Sequence, residues 1–388
     1  MAAAAHSTPA RCPRAAGAVT RRTAVCAVAR AAAGARARVT VRAAAAVCAA
    51  VLLSGCSAVS YYWQAFNGQM EIGRRAQPVE QVLADTAVSA DLKRKLAYAQ
   101  RARDFASREL GLPDNQSYRR YADVQRPYVV WNVFSAPELS LALNTHCFPV
   151  AGCVPYRGYF AEEAAAREAA VLRAAGDDVY MGGVPAYSTL GWFDDPLLNT
   201  FMHSPDLEIA RQIFHELSHQ VAYVKDDTTF NESYAVAVEE EGLRRWAAAH
   251  ATPEQRAQYE RQRARQQQLM ELLLRGRARL AAVYGADADA AVKRAGKAAA
   301  ISALTADYAA VSAAWGLSDA ERKHYDAWFT RDLNNARLGA VAVYTDLVPA
   351  FARLLAREHG NMAVFHQRVK ELAALPREER RSRLAVTP

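Results

Sequence analysis

Apolar residues recur at helical spacing from Asp91 to Leu110, with Leu92, Leu96 and Phe105 on one side. Gly111-Leu112-Pro113 stops that pattern, so residues 57–112 read as a mostly helical arm. The pattern then changes period. Tyr128 to Phe134 is a β-branched and aromatic run after Pro127, which predicts a strand, and Val154 to Phe160 predicts another. Ala161 to Ala175 is an Ala/Glu-rich helix ended by Gly176; Val179-Tyr180-Met181 is a short strand that Gly182-Gly183 should break. Ser204-Pro205-Asp206 has the form of a helix start, with Ser204 as N-cap and Pro205 at the first helical position. Ile209, Ile213, Phe214, Leu217 and Val221 give that helix an apolar side to about Val224. A second helix starts at an Asp227 cap and runs to about His250. Beyond residue 251 the chain reads as helix, with capping-box patterns at Thr252–Gln255 and Ser318–Glu321. The order predicts an α+β fold: a region over residues 113–250 with a small mixed sheet and two long helices, then a helical C-terminal region over 251–388.

Charge changes the picture at the N-terminus only. The formal net charge is +8, but residues 1–55 hold eight arginines and no acid. Removing those eight from 48 basic residues leaves 40, against 40 acidic ones, so the body is neutral and nucleic acid is not an expected partner. The seven arginines between Arg256 and Arg279 are interspersed with acids and read as a solvated helix face. The basic stretch leads into an apolar run, Ala43 to Leu53, too short to span a bilayer, which gives residues 1–55 the form of a secretory signal. It is long for such a leader, which points to translation starting downstream, near Val39. Leu53-Ser54-Gly55-Cys56 resembles a bacterial lipobox, whose cysteine is acylated and becomes the first mature residue. Acyl chains on Cys56 would tether the protein to a membrane, on the periplasmic side of the cell envelope; Ser57 resembles the signal for the outer membrane. Residues 56–112 then follow as the arm. Cys147 and Cys153 remain as a pair around Pro149 and Gly152, a loop a disulfide could close in an oxidising compartment.

The chemistry concentrates at His215-Glu216-Leu217-Ser218-His219. Two histidines four apart on a helix share a face one turn apart, a spacing that lets both imidazoles hold one Zn2+ with the glutamate beside it as general base. With nine His in 388 residues, chance produces the pattern about one time in fifty, so the exported, mid-helix context matters. A hydrolytic zinc site needs a third protein ligand and an open fourth position. Phe230-Asn231-Glu232-Ser233-Tyr234-Ala235 resembles the L-N-E-G-F-A stretch of gluzincin aminopeptidases, in which the glutamate is that ligand. Helix geometry permits Glu232: it lies five residues past the Asp227 cap, about 7.5 Å along the axis, level with His219 if the helices are antiparallel. Glu239 is the competitor, or a carboxylate that accepts from a ligand histidine. Position 236, a turn after Glu232, is a valine where some gluzincins carry a carboxylate.

The likeness extends to Tyr61–Gln69, Cys147–Phe160, Tyr187–Phe193, Asp195–Leu198 and Leu333–Leu338. Together these resemble the family of bacterial lipoproteins with H-E-x-x-H that is assigned as zinc aminopeptidases by motif. That resemblance implies a peptide or protein substrate, with His215, His219 and Glu232 on zinc and Glu216 moving the proton. A tyrosine or histidine should stabilise the oxyanion; Tyr344, Tyr187, Tyr234 and Tyr223 are open, with Tyr344 preferred. An envelope endopeptidase and a non-catalytic zinc-binding scaffold are the alternatives. A scaffold would close the metal with a fourth ligand such as His146 or His203, and an aminopeptidase would need an acid for the substrate amine, which the sequence does not identify. The sequence is silent on oligomeric state.

Overall fold

The first helix of the body, α1 (residues 64–75), leads into strand β1 (Gln77–Pro78), α2 (Val79–Ala84) and α3 (Ala90–Leu110). This computed structural model describes residues 59–385 apart from 150 and 332; the leader, the lipobox and Cys56 lie outside the described residues. Residues 64–388 constitute one compact unit. Ser89 caps α3 by accepting from Leu92 N, and Gly111 ends it at φ 64°, a left-handed conformation that suits a residue without Cβ.

Strands β2 (Arg120–Ala122), β3 (Val130–Pro137), β4 (His146–Phe148), β5 (Gly152–Val154) and β6 (Arg157–Tyr159) follow, then α4 (Glu162–Ala174), β7 (Asp177–Val184) and β8 (Leu197–Leu198). Two three-stranded sheets result. One is antiparallel, in the order β6-β3-β7; the other is mixed, β1-β2-β8, with β2 and β8 parallel. The expected single strand over 154–160 is split, because 152–154 pairs back on β4 while 157–159 pairs with β3. The Cys147–Cys153 disulfide closes that β4–β5 hairpin. Gly182-Gly183 does not end β7, which pairs with β3 through Val184. A Cβ at Gly183 would stand 2.3 Å from the Tyr128 ring, so the glycine admits an aromatic neighbour and does not mark a turn.

The remainder is helical: α5 (Asn199–Met202), α6 (Asp206–Ser218), α7 (Thr228–His250), α8 (Pro253–Gly285), α9 (Ala290–Ala313), α10 (Asp319–Thr330), α11 (Asn335–Thr345), α12 (Val348–Arg357), α13 (Met362–Ala373) and α14 (Arg377–Ala385). The fold is α+β with a helical C-terminal region, as the pattern predicts. Phe105 of α3, Phe214 of α6 and Trp246 of α7 stack in one aromatic group, while Phe230 and Tyr234 of α7 meet Phe351 of α12 and Phe365 of α13. Each such buried side chain stabilises the core by about 1.5–3 kcal/mol, so α6 and α7 are held from both sides. A second core lies between α8, α9 and α10, around Leu272, Leu304 and Phe329.

Candidate metal centre

Helix α6 starts at Asp206, two residues after the expected Ser204 cap, and Pro205 occupies the cap position without a side-chain hydrogen bond. It also ends early. His219 is its C-cap, not a mid-helix residue; residues 219–221 form turns, and the side chain of Asn231 accepts from Val224 N (2.7 Å) and donates to Val224 O (2.8 Å), holding the chain that follows out of the helix. Asp227 caps α7 as expected, accepting from Phe230 N. The antiparallel pair still brings its polar groups together. Donor atoms of His215, His219 and Glu232 lie within 4.8 Å of one another. Glu232 Oε2 is 3.3 Å from His215 Nε2 and 3.7 Å from His219 Nε2.

Those spacings fit a metal ion. Bonds of about 2.0–2.1 Å in a tetrahedron place neighbouring ligand atoms roughly 3.4 Å apart. Two imidazole nitrogens and a carboxylate oxygen are also the donor chemistry of such sites. His146 and His203 do not join the group among the described residues; His203 Nδ1 faces Asn199 O at 3.3 Å instead.

Glu239, seven residues after Glu232, takes the back of the site. Its Oε2 is 2.7 Å from His215 Nδ1, and Arg211 donates to it at 3.1 Å. That holds the ring so that Nε2 points at Glu232, the role expected of a carboxylate behind a ligand histidine. Val236 at the intervening turn is consistent with this: the carboxylate sits one turn further along α7 than in some gluzincins. Burial pushes the His215 imidazole down, but Glu232 and Glu239 outweigh burial and raise it. Burial pushes Glu232 up, and His219 and His215 outweigh that and hold it ionised. Burial depresses His219 to about 4, which keeps it neutral.

Glu216 is 5% exposed, and burial, followed by Glu232 and Asp195, lifts its carboxyl to about 7 against the pull of His215. Gln212, one turn earlier, donates to Glu216 Oε1 at 2.7 Å and fixes its direction. The phenol of Tyr344 on α11 is raised well above its usual range by burial and then by the charge of Glu232, with Tyr156 and Glu216 adding to the rise. It makes no hydrogen bond among the described residues. The other tyrosines are engaged: Tyr234 with His366 at 2.8 Å, Tyr223 with Ala151 O at 2.9 Å, and Tyr187 with Gln69. The Asn334-Asn335 pair accounts for the placing of α11, since Asn334 caps it and Asn335 donates to Glu138 O at 2.8 Å.

Arg211 and Gln212 escaped the sequence reading, although each lies one turn before a site residue on the same helix face. Asp195 and Tyr118 also border the site, and only their distant positions in the chain hid them.

His215 and His219 from the H-E-x-x-H segment and Glu232 from α7 thus form a group able to hold a metal ion. The chain belongs to the family described as "Putative aminopeptidase", whose match covers residues 60–384, and is thereby a peptidase. No curated protein and no solved structure matches it significantly.

Proposed function

We propose that the protein is a zinc-dependent aminopeptidase of the bacterial cell envelope. The observation that carries this reading is the convergence of two imidazoles and one carboxylate on a point bordered by Glu216, with no fourth protein donor among the described residues. His215, His219 and Glu232 hold the zinc. A zinc ion there supplies Lewis-acid polarisation and lowers the pKa of water towards about 7. Glu216 accepts the proton of the attacking water, and Gln212 keeps its carboxylate aimed. Glu216 then delivers that proton to the leaving amine. Tyr344 donates to the oxyanion that develops on the scissile carbonyl.

The Cys147–Cys153 disulfide supports an exported protein, since such bonds persist in oxidising compartments. The lipobox at Cys56 supports attachment through acyl chains, with the body on the periplasmic side and the outer membrane as its site.

Zinc content and hydrolysis of free and N-acetylated peptides, measured on the protein beside Glu216→Gln, test the reading. The expected result is one zinc per chain in both proteins and a kcat about 10²–10⁴-fold lower in the variant. Activity retained in Glu216→Gln would sink the mechanism, and faster cleavage of acetylated peptides would favour an endopeptidase.

A further inference from the structure

Asp195 is 5% exposed, yet no Lys, Arg or His forms an ion pair with it among the described residues. Its Oδ2 accepts from Thr189 N at 2.9 Å and its Oδ1 from Thr189 Oγ1 at 2.7 Å. A carboxylate offers about four acceptor positions, so part of its capacity is unused. A buried carboxylate without a counter-cation is costly, and a fold retains one where a cation arrives from outside.

The carboxylate borders a cavity of about 10 Å³, room for one water-sized group, also lined by Gln69, Tyr118 and Tyr187 and walled by Ile72 and Leu198. Tyr118 is 1% exposed and its hydroxyl, buried in that lining, has no hydrogen-bond partner. The Tyr187 hydroxyl donates to Gln69 Oε1, which leaves its own lone pairs available. The cavity thus gathers one negative charge and two phenolic acceptors around a space of one small group.

The position of this cavity relative to the H-E-x-x-H helix is built in. Gln220, next to His219, accepts from Asn115 Nδ2 at 2.7 Å and donates to Ser117 Oγ at 3.1 Å. Arg103 of α3 donates to Ser117 O at 2.9 Å and to Pro113 O at 2.7 Å, so the loop that carries Tyr118 is pinned on two sides. Tyr118 N donates to Asp195 O at 2.6 Å and joins the two walls. The charge of Glu216 is felt at Tyr118, and that of Asp195 at Glu216.

We infer that Asp195, Tyr118 and Tyr187 bind the free α-ammonium group of the substrate and so restrict cleavage to the N-terminal residue. The inference rests on the peptidase reading above and assigns that site its exo specificity. An α-ammonium carries three N–H donors and one positive charge, which matches the three acceptors and the charge of the pocket. Its size matches the cavity. An acetylated or internal nitrogen brings an acyl group that the Ile72 and Leu198 walls leave no room for, and lacks the charge that Asp195 needs.

The test uses L-leucinamide and N-acetyl-L-leucinamide as probes, titrated calorimetrically into the zinc-loaded and the chelator-treated protein. The wild type should bind leucinamide more tightly in both forms, by about 10-fold or more. Asp195→Asn, which keeps the shape and loses the charge, should weaken leucinamide binding about 100-fold and Tyr118→Phe about 10-fold, on the scale of hydrogen bonds to charged groups. The ratio of kcat/KM for free over acetylated peptides should fall in parallel, and Asp195→Glu should restore part of it. Leucinamide binding that is the same in wild type and both variants would overturn the inference, as would an unchanged free-to-acetylated ratio. If the wild type cleaves no peptide, the peptidase reading fails, and amine binding still decides the pocket. Should Asp195→Asn fail to fold, Tyr118→Phe carries the decision.

Discussion

Burial pushes the Asp195 carboxyl from 3.8 up to about 6, and its hydrogen bonds from Thr189 and Ser188 recover only part of that; Asp194 adds to the rise. Because the folded value lies above the unfolded one, the native chain keeps a proton between about pH 4 and 6 that the unfolded chain has released. Stability contributed by this group is therefore highest below pH 4 and declines as pH rises to about 6, by about 3 kcal/mol at most. Asp195→Asn removes that decline. Denaturant unfolding in the presence of chelator should show the variant gaining on the wild type by about 2 kcal/mol between pH 4.5 and pH 7.5. A gain that does not change with pH would mean that the carboxylate has an ordinary pKa and a counter-ion. His215, Glu216 and His219 were legible because their relation is one turn of one helix. Glu232 needed the geometry of a second helix, and Glu239 could be narrowed only to two roles. Asp195 and Tyr118 meet across 77 residues of sequence through loops whose course no local pattern encodes.

Asp227 illustrates the same limit for elements. Its Oδ1 accepts from Phe230 N and caps α7, which the sequence suggested. Its Oδ2 also accepts from Arg380 Nη2 at 2.8 Å and Nε at 3.1 Å, while Arg381 reaches Oδ1 at 2.5 Å. Asp227 and Arg380 are 2% and 3% exposed, so α14 is locked onto the first turn of the helix that carries Glu232. Arg380→Ala leaves a buried carboxylate with only the half-buried Arg381, and should cost about 3 kcal/mol in denaturant unfolding. It should also weaken metal binding, because Glu232 lies five residues past that cap. A loss below about 1 kcal/mol would show that the pair is dispensable. Signals local to a few residues predicted elements well: the capping boxes at Thr252 and Ser318 are both formed. Signals that depend on a partner misled. Val221 and Val224 continue the apolar side of α6 in sequence, but pack on the core from a loop that Asn231 holds. Gly182-Gly183 resembled a break and instead lies inside β7, beside the ring of Tyr128. The Arg-rich face of α8, by contrast, is largely solvent-facing as its pattern indicates, with ion pairs from Arg265 to Glu321 and Arg279 to Asp307.

At the scale of the whole molecule, the division between two cores predicts how the metal is felt. The main core joins α3, α6 and α7 to α12, α13 and α14, whereas α8, α9 and α10 surround a second cluster that Leu338 of α11 completes. Polar ties connect the second region to the sheet: Arg294 with Glu138, and Lys297 with Asp178 at 2.7 Å. The first is exposed and contributes little; the second is better buried, with Lys297 also donating to Glu138 O and Asp178 also accepting from Asn335 N. Such a region can open without breaking the first core. A bound metal stabilises only those states that retain its site, by about 2.7 kcal/mol at one hundred times its dissociation constant. Openings that leave α6 and α7 paired keep the site, and their free energy is unaffected. Amide hydrogen exchange with and without zinc should therefore show slower exchange in α6, α7 and the α12–α14 helices locked to them, and little change along α8 and α9. Equal slowing in α8 and α9 would mean that those helices open only when the whole chain unfolds, and that the two cores form one cooperative unit.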